Sequence, residues 1–106
     1  MTAWVYLIAA GLFEVLFAST LKLTENFTKP LPTIAFLVFA ATSFYLLTKA
    51  LDGIPIGTAY AIWTGIGVVG TVLVGIFFYN EPASILRLFF ISTLVISIVG
   101  LKVVSS

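Results

Sequence analysis

Residues 56–79 read IGTAYAIWTGIGVVGTVLVGIFFY, and no charged side chain occurs among them. A helix needs about 20 residues to cross the hydrocarbon core of a bilayer, which is about 30 Å thick. In lipid the backbone must satisfy its own hydrogen bonds, so a continuously apolar stretch of this length is helical, whereas the strands of a membrane β-barrel alternate in polarity. The stretch therefore predicts a transmembrane helix.

Three further apolar segments share these properties, and short polar turns with prolines and glycines separate them. The turns are too short to hold an active site of their own. We therefore expect a single all-α transmembrane domain over residues 1–106. Its spans are predicted at about 3–21, 33–47, 56–79 and 85–104.

The composition excludes several classes of protein. The chain has 106 residues, of which 61% are hydrophobic and 8% are charged, whereas a soluble domain has roughly 25% charged residues. Histidine and cysteine are absent, which argues against disulfides, thiolate chemistry, and most zinc or haem sites. We expect no metal site, no cofactor and no enzymatic activity. The net charge of +1 provides no field for nucleic acid.

The N-terminus is expected to remain in the mature protein, because no Lys or Arg precedes the first apolar run as in a signal peptide. The membrane orientation is almost undetermined. One side would carry Lys49 and Lys102, and the other would carry Lys22, Lys29 and Arg87. Such a near-balance favours insertion in both orientations, although a chain with few charges can also be balanced by accident.

Glu14 is the one charged residue of the first span. A carboxylate at that depth is energetically costly and usually faces protein or a water-filled cavity. It can bind either a proton or a monovalent cation, and competition between the two is the minimal chemistry of an antiporter. The alternative is a glutamate that only fixes the packing of the helices through hydrogen bonds.

Small and aromatic residues surround Glu14 at helical spacing. We predict that Gly11 leaves space beside the carboxylate and that Phe17 offers a ring to a planar or alkyl cation. In the third span Tyr60 and Trp63 share one face and could position the carboxylate, and in the second span Ser43 could extend the polar network. The alternative for Tyr and Trp is a place in an interfacial belt, which suits Trp4, Tyr6 and Tyr79 better.

The glycines of the third span match the dinucleotide-binding pattern G-x-G-x-x-G at Gly65, Gly67 and Gly70. That pattern needs a soluble strand–turn–helix, so we interpret these glycines as packing surface or as a point where the helix bends.

Four helices enclose little space, so a transport pathway would need a second subunit. Thr93, Ser97 and Gly100 form a stripe of small residues in the fourth span, which predicts a contact face between two copies. Packing within one chain is the simpler alternative for this stripe.

The whole chain resembles the small multidrug resistance family of bacterial transporters. The resemblance rests on Phe13-Glu14-Val15 and on the segment PIGTAYAIWTG at residues 55–65. It implies an antiparallel homodimer in the bacterial inner membrane, in which two copies of Glu14 face one central site. It also implies proton-coupled export of small cations by alternating access.

Gly11, Ser43, the glycine run after Trp63 and the terminal Gly100-Leu-Lys102 resemble the guanidinium-exporter branch of that family. That branch usually has Trp three residues after the glutamate, whereas this chain has Phe17. The resemblance implies export of guanidinium and guanidinyl compounds. The alternative substrates are quaternary ammonium and other lipophilic cations. The alternative assembly is a heterodimer of which this chain is one subunit. A small ion channel and an assembly subunit without transport of its own are the other classes.

Overall fold

The computed structural model describes residues 2–105, with the side chain of Ser105 outside that description. Within this part of the chain there are four α-helices and no strand. They are α1 (Thr2–Leu21), α2 (Pro30–Ala50), α3 (Ile56–Phe78) and α4 (Ile85–Ser105). All four are long and apolar enough to cross a membrane. The predicted all-α transmembrane fold is confirmed, while residues 1 and 106 of the predicted domain lie outside the described part.

The second helix begins at Pro30 and ends at Ala50, so it is longer at both ends than the predicted span 33–47. Lys29 is extended, with φ −93° and ψ 116°, as expected of a residue that precedes proline. Pro30 then occupies the first helical position, where the missing N–H costs nothing. The proline pair therefore lies inside the helix and starts it, instead of belonging to the preceding turn.

The four helices form a thin slab. The chain measures 41 × 35 × 17 Å, and a single helix with its side chains is already about 10–12 Å across. The first helix packs against both α2 and α3, and these two barely touch each other. The buried core joins all three helices toward one end of the slab, and its members are Leu7, Ala10, Ala50, Ile54, Ala59, Ile62 and Trp63.

Among the described helices, the backbone of the fourth helix comes close only to α3, while the Lys102 ammonium reaches the Trp4 ring of α1. Gly65 makes this contact close, because a Cβ atom at that position would lie 2.7 Å from Cδ1 of Ile98. No residue of α4 with a described side chain is buried. The fourth helix thus lies at the edge of the slab, with most of its surface facing outward.

The turn between α1 and α2 contains three consecutive left-handed residues. Glu25, Asn26 and Phe27 have φ values of 47°, 61° and 65°, a conformation that costs non-glycine residues energy. Thr24 is 1% exposed. Its hydroxyl donates to the carbonyl of Leu21 at 2.7 Å and accepts the N–H of Phe27 at 3.3 Å. The buried threonine therefore holds a strained turn in place.

The turn between α3 and α4 is closed by an ion pair. The guanidinium of Arg87 donates to Glu81 Oε1 at 2.8 Å and to the carbonyl of Pro82 at 2.7 Å. The Glu81 carboxylate in turn lies where a Cβ at Gly75 would be. Arg87 and Glu81 thus pin the start of α4 to the end of α3.

Candidate functional site

Glu14 lies well inside α1, and its carboxylate packs against α3 at Gly67. A Cβ atom at position 67 would collide with the carboxylate. Gly67 itself is buried. The absence of a side chain at this position is therefore what admits the acidic group between the two helices.

The carboxylate is not satisfied by the chain. Glu14 Oε1 is buried and has no hydrogen-bond partner within the described residues. Glu14 also lines an open cavity of about 300 Å³, together with Gly67 and Thr71. A buried carboxylate oxygen without a partner is unfavourable, so this oxygen is suited to receive a proton or a cation.

Two threonine hydroxyls of α3 share this property. Thr64 Oγ1 and Thr71 Oγ1 are buried and have no hydrogen-bond partner within residues 2–105. At 3.6 residues per turn, positions 60, 64, 67 and 71 lie on one face of a helix. Helical spacing from Tyr60 leads through Thr64 to Gly67. Continuing the same spacing by one turn would have added Thr71.

A chain of hydrogen bonds links three helices beside the site. The indole N–H of Trp63 donates to the hydroxyl of Ser43 at 3.0 Å, and this hydroxyl donates to the carbonyl of Ala10 at 2.7 Å. Ser43 is fully buried. In an α-helix the carbonyl of residue 10 also accepts the N–H of residue 14. The structure therefore connects Trp63 and Ser43 to the backbone that carries Glu14, and not to its carboxylate.

Aromatic rings continue from Trp63 along α2 and α1. Tyr60 lies 5.7 Å from Trp63 between ring centroids, Trp63 lies 5.6 Å from Phe44, and Phe44 lies 5.9 Å from Phe17. Phe17 packs edge-on against Phe36 and is absent from the lining of the Glu14 cavity. Tyr60 is 58% exposed in the single chain.

The other glycines named by the sequence serve helix packing in this structure. A Cβ at Gly11 would lie 2.7 Å from Cγ2 of Ile66, and one at Gly70 would collide with Val15. Both contacts bring α1 close to α3. The third helix runs as one α-helix through Gly65, Gly67 and Gly70, and its bending during transport stays a prediction.

The stripe on α4 is unoccupied in the single chain. The hydroxyls of Thr93 and Ser97 donate back to their own helix, to the carbonyls of Phe90 and Thr93 at 2.8 and 2.9 Å. A Cβ at Gly100 would have no atom within 4 Å. The hydroxyls of the stripe are therefore hydrogen-bonded within α4, and its surface is open to contact with another helix. Its role in pairing two copies stays a prediction.

Together, a four-helix membrane slab and an unsatisfied carboxylate near its middle are features of a small membrane transporter. A family model described as "Small Multidrug Resistance protein" matches residues 2–94. The chain belongs to the small multidrug resistance family.

Three curated relatives have names that specify a function. A protein of Yersinia pseudotuberculosis named "Guanidinium exporter" is 45% identical over 103 residues, which cover 97% of this chain and 99% of the relative. An Escherichia coli protein of the same name is 41% identical over 100 residues, or 94% and 95% of the two chains. A "Probable guanidinium efflux system subunit GdnD" of Bacillus licheniformis is 44% identical over 102 residues, or 96% and 98%.

These findings confirm the family resemblance and a transport function. The relatives are named for export and efflux and not for an enzymatic reaction. The chain is a multi-pass membrane protein.

Proposed function

We propose that this protein exports guanidinium and related guanidinyl cations from bacteria across the inner membrane, in exchange for protons. Glu14 is the group that both ligands occupy in turn. The protein works as an antiparallel homodimer whose two copies of Glu14 face a common site. The names of the relatives support the choice of substrate.

The observation that carries the proposal is Glu14 itself, which lines an open cavity and has a buried oxygen, Oε1, without a hydrogen-bond partner among the described residues. A carboxylate used only for packing would be hydrogen-bonded by its own chain. Guanidinium is planar and presents parallel N–H donors, which match the two oxygens of a carboxylate. A proton on the same carboxylate removes its charge and so displaces the cation. Two carboxylates would exchange about two protons for each cation.

The thinness of the slab supports a second copy. A chain 17 Å thick in its smallest dimension cannot surround a cation, and the Glu14 cavity is open on one side. A second chain placed over that opening would close the site. The near-equal distribution of Lys and Arg between the two sides favours an antiparallel partner, because each chain can then insert in either orientation.

The neighbours of Glu14 position it through the backbone. The Trp63–Ser43–Ala10 hydrogen bonds fix α1 at the turn preceding Glu14. Thr64 and Thr71 offer hydroxyl oxygens to the N–H groups of the cation. Tyr60 reaches the site from the outer face, where it meets the second copy.

Phe17 bears on the range of substrates. It stands among apolar rings next to Phe44 and Phe36, and so provides no donor to Glu14. A wholly apolar ring cluster of this kind also accommodates alkyl groups. Phe17 does not line the Glu14 cavity of the single chain, but it lies on the same helix about one turn from Glu14. The nearness of this cluster keeps quaternary ammonium efflux as the second candidate function.

The test is substrate-driven current in proteoliposomes that contain the purified protein, with guanidinium and tetrapropylammonium compared. We expect a saturable guanidinium current that Glu14→Gln abolishes. Glu25→Gln is the matched control, because Glu25 lies in an exposed turn and loses the same charge.

Each other outcome contradicts part of the proposal. A current with tetrapropylammonium alone would replace guanidinium by lipophilic cations as the substrate. A current that does not saturate and moves no protons would indicate a channel. The absence of current with both cations would show that the protein does not transport either of them as a homodimer. Recovery on co-expression with a paralogous chain would then make the protein one subunit of a heterodimer. The name of the Bacillus relative calls that protein a subunit of an efflux system.

A further inference from the structure

An apolar groove between α1 and α4 has α3 as its floor. Ile8 and Leu12 line it on α1, Ile66 forms its floor, and Ile98 and Val99 line it on α4. It consists of two adjoining cavities of about 300 and 280 Å³ that share Ile66, Ile98 and Val99. This α1–α4 groove does not include Glu14 and has no part in the proposed transport chemistry.

One end of the groove carries a positive charge. Lys102 lines the outer cavity, and its ammonium lies 4.9 Å from the centroid of the Trp4 ring. The one ion pair within residues 2–105 joins Arg87 to Glu81, so no described carboxylate neutralises Lys102. The ring covers one side of the ammonium, and the remaining N–H donors are left for another ligand.

The length of the groove matches one layer of lipid tails. Its α1 wall runs from Trp4 to Val15, a distance of about 16 Å at 1.5 Å per residue. Half of a hydrocarbon core about 30 Å thick is about 15 Å. The inner part of the groove is lined by apolar residues alone. An acyl chain that begins at Lys102 would therefore end near the middle of the membrane, beside Val15.

The groove and the predicted contact between two copies use different faces of α4. Thr93, Ser97 and Gly100 lie on one side of the helix, and at 100° per residue Val99 and Lys102 lie on roughly the opposite side. A second copy that packs on the stripe of small residues would leave the groove open to lipid.

We propose that the α1–α4 groove is a binding site for one anionic glycerophospholipid in each copy of the chain. Lys102 binds the phosphate of the headgroup, the Trp4 indole lies at the level of the glycerol backbone, and one acyl chain fills the groove. Charge complementarity at Lys102 selects anionic lipids over zwitterionic ones.

Native mass spectrometry of the detergent-purified protein tests this site, with dioleoyl phosphatidylglycerol and dioleoyl phosphatidylcholine added in turn. We expect tighter binding of phosphatidylglycerol. A basic residue near the headgroups contributes about a five-fold gain in affinity for anionic lipid, so Lys102→Gln should lower phosphatidylglycerol binding about five-fold. Lys29→Gln, which removes one charge at the opposite end of the slab, should leave it unchanged.

A second variant tests the groove itself. Val99→Phe fills the space between α1 and α4 and should weaken the binding of both lipids. Equal effects of Lys102→Gln and Lys29→Gln would overturn the headgroup assignment. If Val99→Phe left lipid binding intact and instead weakened dimer formation, a second copy and not a lipid would occupy the groove. These readouts do not depend on transport, so the lipid site and the proposed function can fail independently.

Discussion

The carboxylate of Glu14 occupies the space that a Cβ atom at Gly67 would fill. This relationship makes the acidic group and the glycine a pair, since any side chain at position 67 would displace the carboxylate. It also explains why a glycine pattern that looks like a nucleotide-binding motif occurs within a membrane span. The glycines serve close approach between helices, and at Gly67 they admit a functional side chain.

Gly67→Ala should therefore impair transport more than it impairs folding. The added methyl group displaces the carboxylate, and overpacking of this kind costs about 1–3 kcal/mol. We expect guanidinium-driven current in proteoliposomes to fall at least about ten-fold, with the protein still extracted as a folded species.

Gly57→Ala is the control for this change, because a Cβ at Gly57 would have no atom within 4 Å. Equal currents for the two alanine variants would show that the contact between Gly67 and Glu14 has no role in transport.

Ser43→Ala should destabilise the protein by about 1–3 kcal/mol, because it leaves the buried N–H of Trp63 without an acceptor. Trp63→Phe removes the donor, and the double variant should therefore lose less stability than the sum of the two single variants. Thermal unfolding in detergent measures all three changes.

Thr42→Ala is the matched control for Ser43→Ala, since the Thr42 hydroxyl is bonded to its own helix at the carbonyl of Val38. Strict additivity of the Ser43 and Trp63 variants would mean that their hydrogen bond contributes nothing to the fold.

Thr71→Val should weaken the apparent affinity for guanidinium without lowering the stability of the protein. Its hydroxyl is buried and unpaired, and an apolar group of the same shape is neutral or stabilising at such a position. Because the hydroxyl no longer assists the cation, we expect the KM for guanidinium to rise about five-fold while the unfolding temperature stays constant or rises.

Thr48→Val, at an exposed position near the end of α2, should leave KM unchanged. A lower unfolding temperature of Thr71→Val with an unchanged KM would place the Thr71 hydroxyl in the packing of the helices and not in the site.

Glu25→Gly should stabilise the turn between α1 and α2. The residue has φ 47°, and the left-handed conformation costs a non-glycine residue roughly 1 kcal/mol or more. Glycine relieves that cost, so we expect a higher unfolding temperature with unchanged transport.

Asp52→Gly removes the same charge from another turn, where Asp52 is not among the residues of positive φ. It should not stabilise the protein. If both glycine variants raised the unfolding temperature equally, loss of charge and not relief of backbone strain would be the cause.

The four helices could be predicted because their signal is the length and continuity of apolar segments, which the bilayer dictates. The residue at which α2 begins was harder to predict from the sequence. Pro30 and Pro32 can end one element or begin another, and only the extended backbone at Lys29 shows that they begin the helix.

The hydrogen-bond partner of Trp63 could not be predicted from the sequence, for a different reason. Helical spacing places residues on a face, but it does not fix the register between two helices. The sequence placed Trp63 in the neighbourhood of Glu14, and the register of α2 then brings the Ser43 hydroxyl to the indole N–H. Thr71 was within reach of the sequence, because it continues the spacing of Thr64 and Gly67.

The fourth helix has a consequence for how the protein is made. It leaves the ribosome after the other three described helices, and its backbone comes close only to α3 among them. In a single chain its stripe of Thr93, Ser97 and Gly100 is exposed. If the proposed antiparallel homodimer forms, chains that outnumber their oppositely inserted partners remain unpaired, with a loosely held fourth helix, and we expect membrane quality-control proteases to degrade them first. Cellular abundance would then report the balance between the two orientations.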